Sequence, residues 1–275
     1  MRITTCLAGG LLALTLASCS EYSKIEKSTD IQKKLAYANG LYDKGKYNKA
    51  QVLYGEIKDA FRGSKQAEDL LYHYAYTYYK MGDFETAAFY FKNYVATFPS
   101  SPKATEMDYM QAYCFFKLSP RVELDQSNTT KAISAMQTFI NMHPNSEKVA
   151  EATKIIDQCR QKLEDKEYDA AQLYYDLSLY KAAGITFSNL LLDYPDSDFG
   201  DKYKFLTIKS YYEYAANSII DKQKDRYENV VTEYLNFTDL YPNSKYKPQA
   251  EKYYTLSKKS LKTFQNEQDE KSTQQ

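Results

Sequence analysis

Apolar residues recur along most of the chain with the spacing of amphipathic helices, and the helical stretches end at a repeated phrase. The phrase is an aromatic residue or histidine, then proline, a polar residue and serine. It stands at 98–101, 143–146, 194–197 and 241–244, and a degenerate copy stands at 61–64. Proline ends the preceding helix, and serine can cap the next one. The pattern therefore predicts paired helices separated by capped turns.

Turns inside the pairs carry a second signature, which is glycine, an aromatic residue and alanine, as at 45–50 and 82–87. The stretch 71–99 places large, small and aromatic residues as in a tetratricopeptide repeat of about 34 residues. We therefore predict an all-α fold, a tetratricopeptide-repeat superhelix of about five helix pairs plus a C-terminal helix. The pairs are expected at 30–62, 65–98, 103–143, 146–194 and 199–241, with the last helix ending near residue 264.

The repeats are longer than the typical unit, and the extra residues have identifiable places. A loop is expected at 118–128, one extended helix at 154–177, and an interruption of the fifth pair at 218–225. Insertions of this kind emerge on one face of a repeat array, often the face that meets partners.

First helices of such repeats line a concave face, and their exposed positions are candidates for peptide binding. In the first three pairs these positions are Leu35, Asn39, Tyr42, Tyr72, Tyr76, Tyr79, Tyr109, Tyr113 and Phe116. Seven of the nine are aromatic. They either bind a peptide or pack helices together, and the packing positions of the second pair are filled separately by Leu71, Tyr74, Ala75 and Tyr78. A clamp for a peptide's terminal carboxylate is not expected, because only Asn39 matches it. Lys80 and Lys117 either meet such a carboxylate or are solvated.

The N-terminus has the features of an export signal. Arg2 precedes an apolar run at 6–17 that is too short to span a bilayer. The run ends in Leu-Ala-Ser-Cys, which matches a lipobox, so residues 1–18 are predicted to be a lipoprotein signal peptide and Cys19 the lipidated residue. A plain secretory signal is the alternative. Ser20, rather than aspartate, favours transfer to the outer membrane. Residues 19–29 are predicted to be a tether and 265–275 a disordered tail.

Composition and motifs argue against several classes of function. Lysine plus arginine equals aspartate plus glutamate at 36 each, so nucleic acid is not an expected partner. Cys114 and Cys159 are the thiols that remain after processing, and they either pair in an oxidising compartment or stay as buried apolar residues. The spacing of Cys and His suggests no metal site, no cofactor is expected, and no nucleophile or phosphate-binding motif occurs. An enzyme is therefore not predicted.

Several segments resemble one family across nearly the whole mature chain. They are 107–113 at the start of the third pair, 124–132 entering its second helix, 151–154 with 165–175 in the long helix, and 194–197. Together with the lipobox and five repeats, they resemble the BamD family of outer-membrane assembly lipoproteins, as far as about residue 264.

The resemblance implies a non-enzymatic component of the machinery that folds β-barrel proteins into the outer membrane. Repeats at 30–143 are then expected to receive the C-terminal strand signal of unfolded outer-membrane proteins. Repeats at 144–264 are expected to dock on a BamA-like barrel insertase, beside other lipoproteins of the complex. The expected location is the periplasmic face of the outer membrane, through the lipid anchor. The chain departs from the family in its extra tyrosines, its divergent fifth repeat and its charged tail.

Two other binding functions remain as alternatives. A periplasmic tetratricopeptide scaffold that coordinates cell-wall synthesis or division would use the same fold. A glycan-binding lipoprotein on the outer surface would also carry aromatic residues, but such proteins stack sugars on tryptophan, and this chain has 29 Tyr and no Trp.

Overall fold

The computed structural model describes residues 21–273, with side chains as far as Asn266. Every regular element of this part is helical. After a helical segment at 21–26, the helices are α1 (Ile31–Asp43), α2 (Tyr47–Ile57), α3 (Ala67–Met81), α4 (Phe84–Thr97), α5 (Ala104–Leu118), α6 (Ser127–Met142), α7 (Val149–Asp176), α8 (Tyr180–Asp193), α9 (Gly200–Ala216), α10 (Ile220–Leu240) and α11 (Lys247–Thr273). A 3-10 helix, Lys58–Phe61, extends α2. The predicted all-α fold, with five tetratricopeptide-type pairs and a final helix, is confirmed.

The chain divides into two compact units, Met1–Arg160 and Gln161–Gln275, so the boundary falls inside α7. In the first unit the core is formed by α1–α6 and the first part of α7, with Tyr54, Phe91 and Phe139 almost fully buried. In the second unit Phe187 and Phe237 lie at the centres of two further clusters. Each unit therefore has a hydrophobic core of its own.

Turns within the pairs follow the signature in the sequence. Gly82 ends α3 with a φ of 82°, in the left-handed region that glycine adopts without steric cost. Asp83 then caps α4, because its carboxylate accepts a hydrogen bond from the backbone N–H of Thr86 at 3.1 Å. The turn between α7 and α8 lacks glycine, and Ser178 takes the positive φ there, at 61°.

The serine of the repeated phrase caps the next helix, as predicted. Its hydroxyl oxygen accepts from the backbone N–H two residues later, at 3.0 Å for Ser101, 3.2 Å for Ser146, and 3.1 Å for both Ser197 and Ser244. This local hydrogen bond supplies an acceptor to an N–H that has no partner within its own helix.

The same serine hydroxyl also donates to a carboxylate in the first helix of its own pair, which the sequence analysis did not predict. Ser101 donates to Glu68 at 2.6 Å, Ser244 to Asp201 at 2.6 Å, and Ser197 to Glu164. In the third pair His143 replaces the serine and contacts Asp108 at 2.8 Å. The phrase therefore ties the end of a pair to its beginning.

The degenerate phrase of the first pair lacks this bond. Ser64 Oγ is buried and has no hydrogen-bond partner in the described part of the chain. The position that corresponds to Glu68 is occupied by Ile31, which cannot accept a hydrogen bond.

The inserted segments agree with the prediction in two places and differ in one. A loop separates α5 from α6, and α7 is one extended helix. The interruption expected at 218–225 is confined to 217–219, because Gln223 donates to the backbone oxygens of Ala216 and Ser218 and so closes the turn at the start of α10.

Both predicted terminal segments are more regular than expected. Residues 21–26 are helical, and Ile25 is buried against the first core, so this part is not a polar tether. Helix α11 continues to Thr273 instead of ending near residue 264, because its Gln, Glu and Lys residues are strong helix formers. The predicted signal peptide and Cys19 lie outside the described residues.

Cys114 is a free thiol in the core between α3, α4 and α5, and burial raises its pKa to about 12. Cys159 is buried in a different cluster, against α5 and α6. Cys114 therefore serves as a small apolar core residue. Between residues 21 and 273 no helix is both long and apolar enough to cross a membrane.

Candidate peptide-binding site

A continuous row of rings runs over α1, α3 and α5 in the first unit. Neighbouring ring centroids are separated by 4.6 Å (Tyr42–His73), 5.6 Å (His73–Tyr72), 4.8 Å (Tyr72–Tyr76), 6.1 Å (Tyr76–Tyr79), 6.4 Å (Tyr79–Tyr113) and 5.8 Å (Tyr113–Phe116). We call these seven residues the aromatic stripe. All seven are half-buried, so each ring packs on one side and leaves part of its surface accessible.

Six of the nine residues selected from the sequence belong to the stripe, and the other three lie in the cores. Leu35 is buried among the helices of the first pair. Tyr109 is 3% exposed and stacks beneath Tyr113 at 5.8 Å. Asn39 is half-buried, and its side-chain oxygen accepts a hydrogen bond from the Tyr54 hydroxyl at 2.7 Å. These three residues are therefore not part of the accessible row of rings.

A second group of tyrosines, which interleaves with the stripe along α3, forms a closed packing cluster. Tyr74 is 4% exposed, and its hydroxyl lies 3.0 Å from that of Tyr78. Tyr78 stacks on Tyr90 at 5.1 Å and accepts a hydrogen bond from the Gln51 amide at 2.7 Å. These tyrosines therefore pack the interior here, while Tyr72, Tyr76 and Tyr79 of the stripe cover the neighbouring core cluster from its edge.

Glu106 is the carboxylate at the centre of the stripe, and the sequence alone did not point to it. It is exposed at the start of α5. The Tyr72 hydroxyl donates to its Oε1 at 3.2 Å, and the Tyr76 hydroxyl donates to the same atom. Burial, together with this negative charge, raises the pKa of both tyrosines. Their hydroxyls therefore stay protonated at physiological pH and act as donors to Glu106.

Lys103 is a cation that borders this group. Its Nζ lies 4.4 Å from the centre of the Tyr72 ring and 2.7 Å from Oδ1 of Asp69. The lysine thus covers one edge of the stripe while its charge is paired with Asp69.

His73 lies between the rings of Tyr42 and Tyr54, with centroid distances of 4.6 and 6.2 Å. Burial lowers the pKa of His73, so the ring is neutral at physiological pH. Its Nδ1 is buried and has no hydrogen-bond partner among the described residues. The same environment raises the pKa of Tyr42 to about 12, mainly through burial. The two rings at this end of the stripe are therefore themselves uncharged.

The two lysines considered for a terminal carboxylate lie at the opposite end. Lys117 Nζ is 5.7 Å from the centre of the Phe84 ring, and Lys80 is exposed at the end of α3. No group of three His, Cys, Asp or Glu side chains suited to a metal ion occurs among the described residues. The chemistry of the site is accordingly that of rings, hydroxyls and one exposed carboxylate.

Comparison with known families assigns the chain. A family model described as YfiO, outer membrane lipoprotein, matches residues 29–226, which is more than two thirds of the chain. The chain belongs to this family. Family membership makes it a lipoprotein associated with the outer membrane. The match includes the whole aromatic stripe and both helices of the first four pairs.

Among solved structures, the chain is similar to the TPR2AB domain of yeast Sti1, whose title describes a complex with pHSP90. The two share 14% identity over 83% of this chain and 98% of that chain, at a TM-score of 0.38. No curated protein matches the chain.

Proposed function

We propose that this protein is a non-enzymatic lipoprotein component of the machinery that assembles β-barrel proteins in the outer membrane. The aromatic stripe binds the signal segments of unfolded barrel proteins. The observation that carries this proposal is the unbroken row of seven half-buried rings, which pack against the core clusters and keep part of their surface exposed. Membership of the YfiO family supports the location at the outer membrane.

The chemistry of the stripe suits an extended segment with aromatic side chains. Ring faces and edges accept other rings in offset or edge-to-face contact, and the tyrosine hydroxyls offer partners to a peptide backbone that has no strand neighbour. Tyrosine also loses little conformational entropy on binding, because only two side-chain torsions are fixed.

The remaining parts of the proposal follow from the family resemblance. Residues 144–264 dock on the periplasmic domains of a BamA-like insertase, and other lipoproteins of the complex bind beside it. Acylation at Cys19 holds the protein at the periplasmic face, since each buried methylene contributes about 0.8 kcal/mol to membrane binding.

Copurification tests the identity of the machinery. The full-length lipoprotein is recovered from gently solubilised envelopes, after chemical crosslinking, and its partners are identified by mass spectrometry. We expect a barrel insertase and unfolded barrel proteins. Recovery of a cell-wall synthase or division protein instead would contradict the proposal and favour the periplasmic scaffold.

Peptide binding tests the stripe itself. Replacing Tyr72, Tyr76 and Tyr113 together by alanine removes three rings of the row, and we expect at least about tenfold weaker binding of a barrel-signal peptide. The same three positions changed to phenylalanine keep the rings, and Tyr174→Ala removes an exposed tyrosine of the second unit as a matched control. Unchanged binding by a folded triple-alanine variant would assign these tyrosines to packing.

A further inference from the structure

Glu106 stands out because it is a carboxylate with two hydroxyl donors from its own chain and no direct ion pair among the described side chains. Tyr72 and Tyr76 each point a hydroxyl proton at its Oε1. Across the side chains described between residues 21 and 266, no Lys, Arg or His forms an ion pair with it. A carboxylate offers about four acceptor positions, so an exposed Glu106 has acceptor capacity left for a ligand.

The hydroxyls around Glu106 reinforce its polarity. Since both tyrosine protons are committed to the carboxylate, the outward lone pairs of Tyr72 and Tyr76 present acceptors. The centre of the stripe is therefore a surface of acceptors, flanked by rings whose faces are also electronegative. A ligand group that approaches here gains most if it donates hydrogen bonds or carries positive charge.

Charged groups on the surrounding elements do not cancel this polarity. On α3, Asp69 pairs with Lys103, and at the start of α7, Glu151 pairs with Lys148 at 2.8 Å. Asp43, at the end of α1, adds a further negative charge that Tyr42 and His73 sense. Lys148 also senses the charge of Glu106, but its hydrogen-bonded partner is Glu151, so Glu106 has no lysine in direct contact.

We propose that Glu106 is a specificity-determining residue of the aromatic stripe, selecting segments that place a basic side chain or a free N–H donor beside an aromatic residue. A segment with an acidic side chain, or with its terminal carboxylate at this position, is disfavoured. This inference rests on the proposed function, because it assumes that the stripe binds an extended segment of an unfolded protein.

Peptide titration with the full-length protein tests the inference. The probe is one fluorescent barrel-signal peptide, C-terminally amidated, in three versions that carry Lys, Gln or Glu next to its aromatic residue. Wild-type protein is expected to bind the Lys version about three- to fivefold tighter than the Gln version, the upper range for an exposed ion pair, and the Glu version weakest. The non-amidated Gln peptide should bind more weakly than the amidated one.

Glu106→Gln keeps a carbonyl acceptor for the tyrosines but removes the charge, so it should abolish these preferences without loss of folding. Glu85→Gln, at an exposed position of α4, changes the net charge equally and should leave the preferences intact. If all versions bind equally to the wild type, or if Glu106→Gln retains the order, the role of Glu106 is overturned while the peptide site stands. If no version binds the wild type, the proposed function fails and this inference fails with it.

Discussion

Two glutamates of this protein receive hydroxyl protons from two neighbours each, and their surroundings differ completely. Glu106, in the first unit, accepts from Tyr72 and Tyr76 and is exposed. Glu164, in the second unit, accepts from Tyr203 at 2.7 Å and from Ser197, and it is 5% exposed.

The two sites share the type of hydrogen bond and differ in burial, so burial is what would separate the proposed recognition role of Glu106 from the structural role of Glu164. The acceptor capacity of Glu164 is enclosed, so it can only hold α7, the phrase at 194–197 and α9 together. The carboxylate of Glu106 faces solvent among half-buried rings, so its remaining acceptor positions are open to a ligand.

Glu164→Ala is expected to have the largest effect on stability, and so to show most clearly how Glu164 differs from Glu106. The substitution leaves the hydroxyls of Ser197 and Tyr203 without their acceptor inside the second unit. We expect unfolding free energy to fall by about 2–4 kcal/mol, measured by urea denaturation. Signal-peptide binding by the folded fraction should be unchanged.

Glu106→Gln is the matched control, and its urea midpoint should equal that of the wild type within error. A Glu106 variant that loses as much stability as the Glu164 variant would remove the distinction between the two sites.

Glu68 is half-buried, between the exposed Glu106 and the buried Glu164, and its contribution to the stability of the fold depends on pH. Hydrogen bonds from Ser101 and then Tyr94 lower the pKa of Glu68 below its usual value of 4.5. A lowered pKa stabilises the fold above that value, and the stability is lost as pH falls through the lower, folded-state pKa. Glu68→Gln should therefore be less stable than the wild type at pH 7, and the difference should be smaller at pH 3.

Urea midpoints at the two pH values measure this effect, with Glu85→Gln as a carboxylate that has no such partners. A constant difference between wild type and Glu68→Gln at both pH values would show that the ionised form of Glu68 is not the stabilising one.

The smallest effect is a gain in stability at the first pair. Ile31→Glu places an acid at the position that Glu68 has in the second pair, where it can accept from the orphaned Ser64 hydroxyl. We expect about 0.5–1.5 kcal/mol of added stability. The gain should disappear in a Ser64→Ala background, which a double-mutant cycle resolves. An equal gain with and without Ser64 would assign it to the favourable charge at a helix N-terminus.

The helix pairs were predictable because their boundaries are encoded locally. Proline, glycine and serine act on the residues beside them, so the phrases at 98–101 and 194–197 mark the helix ends directly. The terminal segments were predicted poorly for the opposite reason. Tyr22 and Ile25 become ordered through contacts with a core formed by distant residues, and the polar sequence of α11 gives no apolar pattern to extend.

The helix positions that form the aromatic stripe were predictable from the sequence, but the burial of each ring and the involvement of Glu106 were not. Repeat offsets identified six of the seven stripe residues, since equivalent helix positions point the same way. They did not separate Tyr109, buried beneath Tyr113, from the accessible rings, because depth depends on the neighbouring helix. Glu106 is invisible to such a pattern, since its role arises from hydroxyls 30 and 34 residues away.

Site-specific photocrosslinking in intact cells tests the central claim most directly. A photoreactive phenylalanine replaces Tyr76 in the stripe or, as a control, the exposed Tyr174 of the second unit. We expect adducts with unfolded outer-membrane barrel proteins from position 76, and none of these from position 174. A stripe that yields no barrel-protein adduct, or the same adducts as position 174, would contradict it.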